Sequence, residues 1–214
     1  MLDTLIDHLR ARHPLQTIFL YGSRAQGTHR PDSDFDLLLV CESASTAPSS
    51  GEQRDVHDFG GILVDAWVHA PESLDPETDA GLLRLQSSVL LFDRDGFGAR
   101  LLDRVNEVAA RGPPAMSDGD RGAYRVWLPK MIARLQGPDP LVAGHYRAEL
   151  LNALLPTWFQ ARREWYRGTR AASSWLRQHA PDVASTFEAA LAPGAPVAAL
   201  EAAVALILDA IDQP

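Results

Sequence analysis

Thr17-Ile18-Phe19-Leu20-Tyr21-Gly22-Ser23-Arg24-Ala25-Gln26-Gly27-Thr28-His29-Arg30-Pro31-Asp32-Ser33-Asp34-Phe35-Asp36-Leu37-Leu38-Leu39-Val40 is the stretch that decides the fold. An apolar run ends at a Gly-Ser turn and a polar loop follows. Two aspartates one residue apart then open a second apolar run. The pattern predicts strand, phosphate-sized loop, carboxylate pair, strand. Residues i and i+2 of a strand share a face, so Asp34 and Asp36 aim two carboxylates at one spot.

Outward from this stretch, the rest of the chain divides in two. Leu2, Leu5, Ile6 and Leu9 fall at helical spacing and predict a helix over 2–12, ended by Pro14. Strands are predicted over 16–22 and 35–41, the second apolar enough for burial on both faces. A short helical piece is expected from Ser23, a polar loop over 42–53, and a third strand over 62–68 with Asp65 in its middle. Residues 71–85 read as turns and a short helical pattern, 88–93 as a fourth strand, and 97–110 as a helix. Arg111-Gly112-Pro113-Pro114 is the boundary. Helices are expected beyond it over 118–136, 139–167, 170–179, 182–191 and 195–212, the last as a core helix or a subunit contact. The expected class is α+β, with a strand-containing domain over 1–112 and an all-α domain over 115–214.

Composition narrows the function classes. A net charge of −8 argues against a protein that coats nucleic acid. Hydrophobic residues make up 46%, enough for packed cores. Cys41 is the only cysteine, so no intrachain disulfide forms. Met1-Leu2-Asp3 opens no signal pattern and no run is long enough for a bilayer, so a soluble cytoplasmic protein is expected. Of 20 basic residues only Lys130 is a lysine.

Magnesium prefers carboxylate and phosphate oxygens. Asp65 interrupts an apolar strand, where a lone buried charge costs roughly several kcal/mol, and so suits the place of a third carboxylate beside Asp34 and Asp36. Gly22 and Ser23 offer backbone N–H groups and a hydroxyl to phosphates, and Arg24 adds a charge-assisted contact. Lys130 lies inside a predicted helix beside Pro129, and Glu149 lies amid an otherwise apolar helix face, where a salt bridge with Arg147 or a neighbouring arginine is its plain reading. His57 and His69 read as structural. Trp127, Trp158, Trp165 and Trp175 read as core ahead of an acceptor pocket.

Gly22-Ser23 followed by Asp34-Phe35-Asp36, with the extended form Gly-Ser-Arg-Ala-x-Gly and Ser-Asp-x-Asp-Leu, resembles the signature of the DNA polymerase β-like nucleotidyltransferase superfamily. It is similar to the small bacterial members, such as aminoglycoside and lincosamide nucleotidyltransferases and minimal nucleotidyltransferase proteins. The resemblance covers residues 16–70. It implies a mixed sheet flanked by helices and two magnesium ions. It also implies transfer of a nucleoside monophosphate from ATP to a hydroxyl, with release of pyrophosphate. A glutamate as general base, for which Glu149 is the candidate, and a basic residue of the helical domain at the triphosphate, for which Lys130 is the candidate, are implied with it. A small-molecule acceptor, an antibiotic among them, and a homodimeric site are its further implications.

Two other classes stand beside that reading. One is modification of a protein or RNA, as in toxin–antitoxin pairs. The Arg-x4–6-His spacing of the paired toxins is absent from the helical half, where Arg134 to His145 and Arg170 to His179 are too long. The other is a non-catalytic nucleotide-binding module, which would be expected to lose one of the three aspartates.

Overall fold

A computed structural model describes residues 2–42 and 52–213. The chain forms two compact units, Met1–Arg111 and Gly112–Pro214. Of the polar loop predicted over 42–53, residues 43–51 lie outside the described residues.

The first unit is a five-stranded mixed sheet in the order β3-β4-β2-β1-β5. Its strands are β1 (Leu15–Tyr21), β2 (Phe35–Cys41), β3 (Glu52–Phe59), β4 (Ile62–His69) and β5 (Val89–Asp93). β2 and β4 run parallel, while β1 pairs antiparallel with β2 and β5, and β3 with β4. The central strands are buried on both faces, as their near-continuous apolar sequences require. On one face, Leu5 and Leu9 of α1 (Leu2–Arg12) join Ile18, Leu20, Leu37, Leu39, Val64 and Ala66 in a core. Asp3 opens that helix and Arg10 and Arg12 close it, the charge order its dipole favours. α3 (Phe97–Arg111) packs on β1 and β5, burying Leu101 and Val105. Asp93 caps it by accepting from the Gly98 N–H at 2.8 Å, and it also accepts from the Thr17 hydroxyl at 3.0 Å. A Cβ on Gly98 would stand 2.6 Å from Leu90. Residues 71–73 and 80–87 form 3₁₀ turns.

β3 is the element that sequence reading missed. Glu-Gln-Arg-Asp-Val-His-Asp-Phe carries little apolar signal. It is an edge strand whose Arg54 finds a partner on one face of the sheet and whose Asp55 and His57 find theirs on the other. Gly60 and Gly61, at φ 62° and 85°, form the two-residue turn that pairs Phe59 with Ile62. That geometry needs positive φ at both central residues, so the Gly-Gly pair was the hairpin signal.

On the α1 face, β3 supplies Asp55, which is buried. Its carboxylate accepts two bonds from Arg12 (3.2 and 3.0 Å) and pairs with His13 Nε2 (2.7 Å) and His57 Nδ1 (2.9 Å). His57 Nε2 meets His8 Nε2 at 3.0 Å. This chain of polar contacts clasps α1 to the sheet edge. Burial alone would raise the Asp55 carboxyl. The bonds from Arg12, His13 and His57 together outweigh it and hold the group far below the usual carboxylate range.

The second unit consists of helices around one core. α4 (Asp118–Arg134) is capped by Ser117, which accepts from the Asp120 N–H at 3.1 Å. α5 (Pro140–Ala161) is capped by Asp139 and has proline at its first turn. The helix predicted to reach 167 ends at Ala161, and Arg163 follows at φ 57°. α6 (Thr169–His179), α7 (Pro181–Leu191) and α8 (Val197–Asp212) complete it. Leu128, Leu150, Leu154, Phe159, Phe187 and Ile207 are buried together. Between the two readings offered for α8, its buried Leu200, Ala203, Ile207 and Ile211 make it a core helix. Trp158 lies in the same core, with Trp127 and Trp175 packed against it. Among the described residues no helix is long and apolar enough to cross a membrane.

The clasp has a defined pH response. Asp55 is depressed on folding, so its stabilisation is complete above the usual carboxylate range and is lost progressively as pH falls below that range. His8 is pushed below the ordinary imidazole value by burial, then by His57 and Arg12. The unfolded chain therefore takes up its proton first, and stability falls as pH drops through the imidazole range. Thermal unfolding from pH 8 to 5 should show that decline in the wild type and a shallower one in His8→Ala. Asp55→Ala strands three donors and should cost about 2–3 kcal/mol in denaturant unfolding at neutral pH.

Candidate functional site

The site grows from two local features. The first is the Gly22 turn at the end of β1. Gly22 has φ +71°, and a Cβ there would lie 2.1 Å from Asp36 Oδ2. Only glycine leaves room for the Asp36 carboxylate beside the turn. A four-residue helical turn, α2 (Gly22–Ala25), starts at this point, and Thr28 N–H donates to the Ser23 carbonyl at 3.0 Å to close the loop. The second feature is the parallel β2–β4 register, which places Asp36 directly beside Asp65. Tyr21 faces Asp36 from β1 and Val56 faces Asp65 from β3, so one row crosses four strands.

Asp34 stands one residue before β2, on the loop. Arg24 holds it there. Arg24 Nε donates to the carbonyls of Ser33 and Asp34, both at 2.9 Å, and the guanidinium lies 4.3 Å from the centre of the buried Phe35 ring. Expected at a phosphate, Arg24 is thus engaged with the backbone that carries the first aspartate. Asp34, Asp36 and Asp65 converge with one carboxylate oxygen from each within 4.8 Å of the others.

The electrostatics of the three differ. Burial, then the charges of Asp34 and Asp65, raise the Asp36 carboxyl, with Arg84 opposing. Asp65 is held below the usual range by its hydrogen bonds from Arg54, at 2.9 and 2.7 Å. The Arg54 guanidinium also lies 5.5 Å from the Trp67 ring, and Arg84 lies 5.0 Å from the Tyr21 ring. These two arginines were not found from sequence. Arg54 belongs to the missed strand, and Arg84 sits on a 3₁₀ turn with no motif of its own.

Three clustered carboxylates that repel one another suit a hard divalent cation such as magnesium, which takes oxygen ligands. The donor set contains no thiolate or imidazole. His57 serves the clasp on the α1 face, and His69 is buried at the end of β4. Lys130 on α4 and Glu149 on α5 belong to the second unit, and both are exposed.

Residues 2–80 match the family model described as nucleotidyltransferase domain. No curated protein matches the chain in sequence. Among solved structures, a nucleotidyltransferase-like protein from Exiguobacterium sibiricum 255-15 aligns at 13% identity and TM-score 0.43, covering 98% of this chain and 72% of that one. A toxin–antitoxin structure with AMP-PNP aligns at 17% identity and TM-score 0.35, covering 51% of this chain and 87% of that one.

Gly22→Ala tests the turn. The added methyl must push Asp36 away and hold a non-glycine residue at positive φ, a loss of about 1–3 kcal/mol. Denaturant unfolding should report that loss.

Proposed function

With residues 2–80 a nucleotidyltransferase domain, we propose that this protein transfers AMP from ATP to a hydroxyl of a small-molecule acceptor. The acceptor oxygen attacks the α-phosphorus, the bond to the bridging α–β oxygen breaks, and pyrophosphate leaves. The observation that carries the reading is the convergence of Asp34, Asp36 and Asp65 beside the Gly22 turn. ATP as donor follows from the resemblance of the Gly-Ser to Asp-x-Asp stretch to the small bacterial members.

Asp34, Asp36 and Asp65 would hold two magnesium ions, which supply positive charge to the triphosphate and lower the barrier to in-line displacement. The Gly22-Ser23 turn orients the β- and γ-phosphates through backbone N–H groups and the Ser23 hydroxyl. Arg24 acts through the loop, fixing Asp34 by its backbone. Residues 1–112 are the catalytic domain in this reading, and residues 115–214 bind acceptor and carry a homodimer contact. Lys130 serves the triphosphate as a cation, and Glu149 takes the proton of the acceptor hydroxyl. An acidic chain suits a cationic acceptor such as an aminoalcohol or amino sugar, the class to which many antibiotics belong. The reaction belongs in the cytoplasm, where ATP and magnesium are supplied.

The test is incubation with magnesium, α-labelled ATP and a panel of hydroxylated amines. A labelled acceptor and equimolar pyrophosphate are expected. Alanine at Asp34, Asp36 or Asp65 should lower the rate by about 10²–10³-fold, as loss of transition-state charge stabilisation does. Label appearing in protein or tRNA of a lysate, with none on any amine, would overturn the small-molecule assignment. Lys130→Ala should raise KM for ATP, whereas Glu149→Gln should lower kcat.

A further inference from the structure

β3 presents Arg54 to the carboxylate site in a specific way. Arg54 pairs in register with Trp67, and Asp65 lies two residues before Trp67 on the same face of β4. The guanidinium therefore reaches diagonally across the strand pair. Its Nε donates to Asp65 Oδ1 at 2.9 Å and its Nη2 to Oδ2 at 2.7 Å, so both oxygens of one carboxylate are forked by a single cation. Asp65 is the residue of the three that stands nearest the sheet edge. Arg54 is 55% exposed in its side chain while Asp65 is 20% exposed, so the arginine is the partner with room to leave. The Trp67 ring, 5.5 Å from the guanidinium, gives it a face to rest on when it does.

We propose that Arg54 is a built-in stand-in for the cation at this site: it neutralises and orients Asp65 until a divalent metal enters, and the metal displaces it. The inference rests on the reading of Asp34, Asp36 and Asp65 as metal ligands. A guanidinium in bidentate contact with a ligand repels an incoming divalent ion and competes for the same oxygens. Arg54 thus lowers affinity for metal alone. A nucleotide triphosphate brings its own negative charge and oxygens, which offset that repulsion. Metal entry is thereby tied to arrival of the nucleotide, as a coupling between two ligands. Arg54 is a positioning residue in this scheme, acting through Asp65.

The experiment measures manganese binding to the full chain by electron paramagnetic resonance and by tryptophan emission, with and without a non-hydrolysable ATP analogue. The proteins are the wild type, Arg54→Gln, Arg54→Lys, Asp34→Asn and Trp67→Phe, each checked for a wild-type far-ultraviolet spectrum. Arg54→Gln should bind manganese alone about tenfold more tightly, the size of one close charge pair near a surface, and the gap should shrink when the analogue is present. Arg54→Lys should stay near the wild type. Metal binding should change the wild-type emission, and that change should be absent from Trp67→Phe and Arg54→Gln. Unchanged or weaker manganese binding by Arg54→Gln would overturn the proposal. Wild-type manganese affinity in Asp34→Asn would instead overturn the metal-ligand reading beneath it.

Discussion

The parallel pairing of β2 with β4 is the constraint on which the site depends. It sets Asp36 beside Asp65 on one face of the sheet. Two carboxylates in that register repel each other, and Asp34 adds a third. The apolar strands around them supply the burial that holds the arrangement against the repulsion, with Phe35, Leu37, Leu38 and Leu39 all buried. Removing that support would let the carboxylates separate into water. The same packing that makes the unit stable therefore concentrates negative charge at one point of its surface.

Two neighbouring residues of β3 show how an edge strand serves both faces. Asp55 turns to α1 and gathers Arg12, His13 and His57. Arg54 turns the other way and forks Asp65. Strand alternation makes this division automatic. It also explains why a strand with so little apolar character remains in the sheet. Arg54, Asp55 and His57 are held by ion pairs and hydrogen bonds on either side, and the strand's charged residues discourage pairing with another chain.

The loop between β1 and β2 is built by similar local means. Gly22 yields space to Asp36, while Arg24 clamps the carbonyls of Ser33 and Asp34 and stacks on Phe35. The guanidinium thereby couples the placement of Asp34 to a buried ring of the sheet. The second unit draws its stability from a different source, a helical core around α8 with caps at Ser117 and Asp139.

What the sequence by itself determined is the part written in short-range pattern. The Gly22-Ser23 to Asp36 spacing, the apolar runs of β1, β2 and β4, and Asp65 as an interruption of β4 were all legible, because strand alternation and turn chemistry act over a few residues. The helices beyond residue 112 were legible through their periodicity and their glycine and proline breaks. β3 was not, because its stability comes from partners distant in sequence. Asp55 depends on Arg12 across |i−j| = 43, and its polar composition reads as loop when those partners are unseen. The role of Arg24 in holding the Asp34 loop and the Arg54–Asp65 fork were decided only by tertiary structure. In each case a guanidinium has several acceptors within its reach, and only the packed sheet selects one.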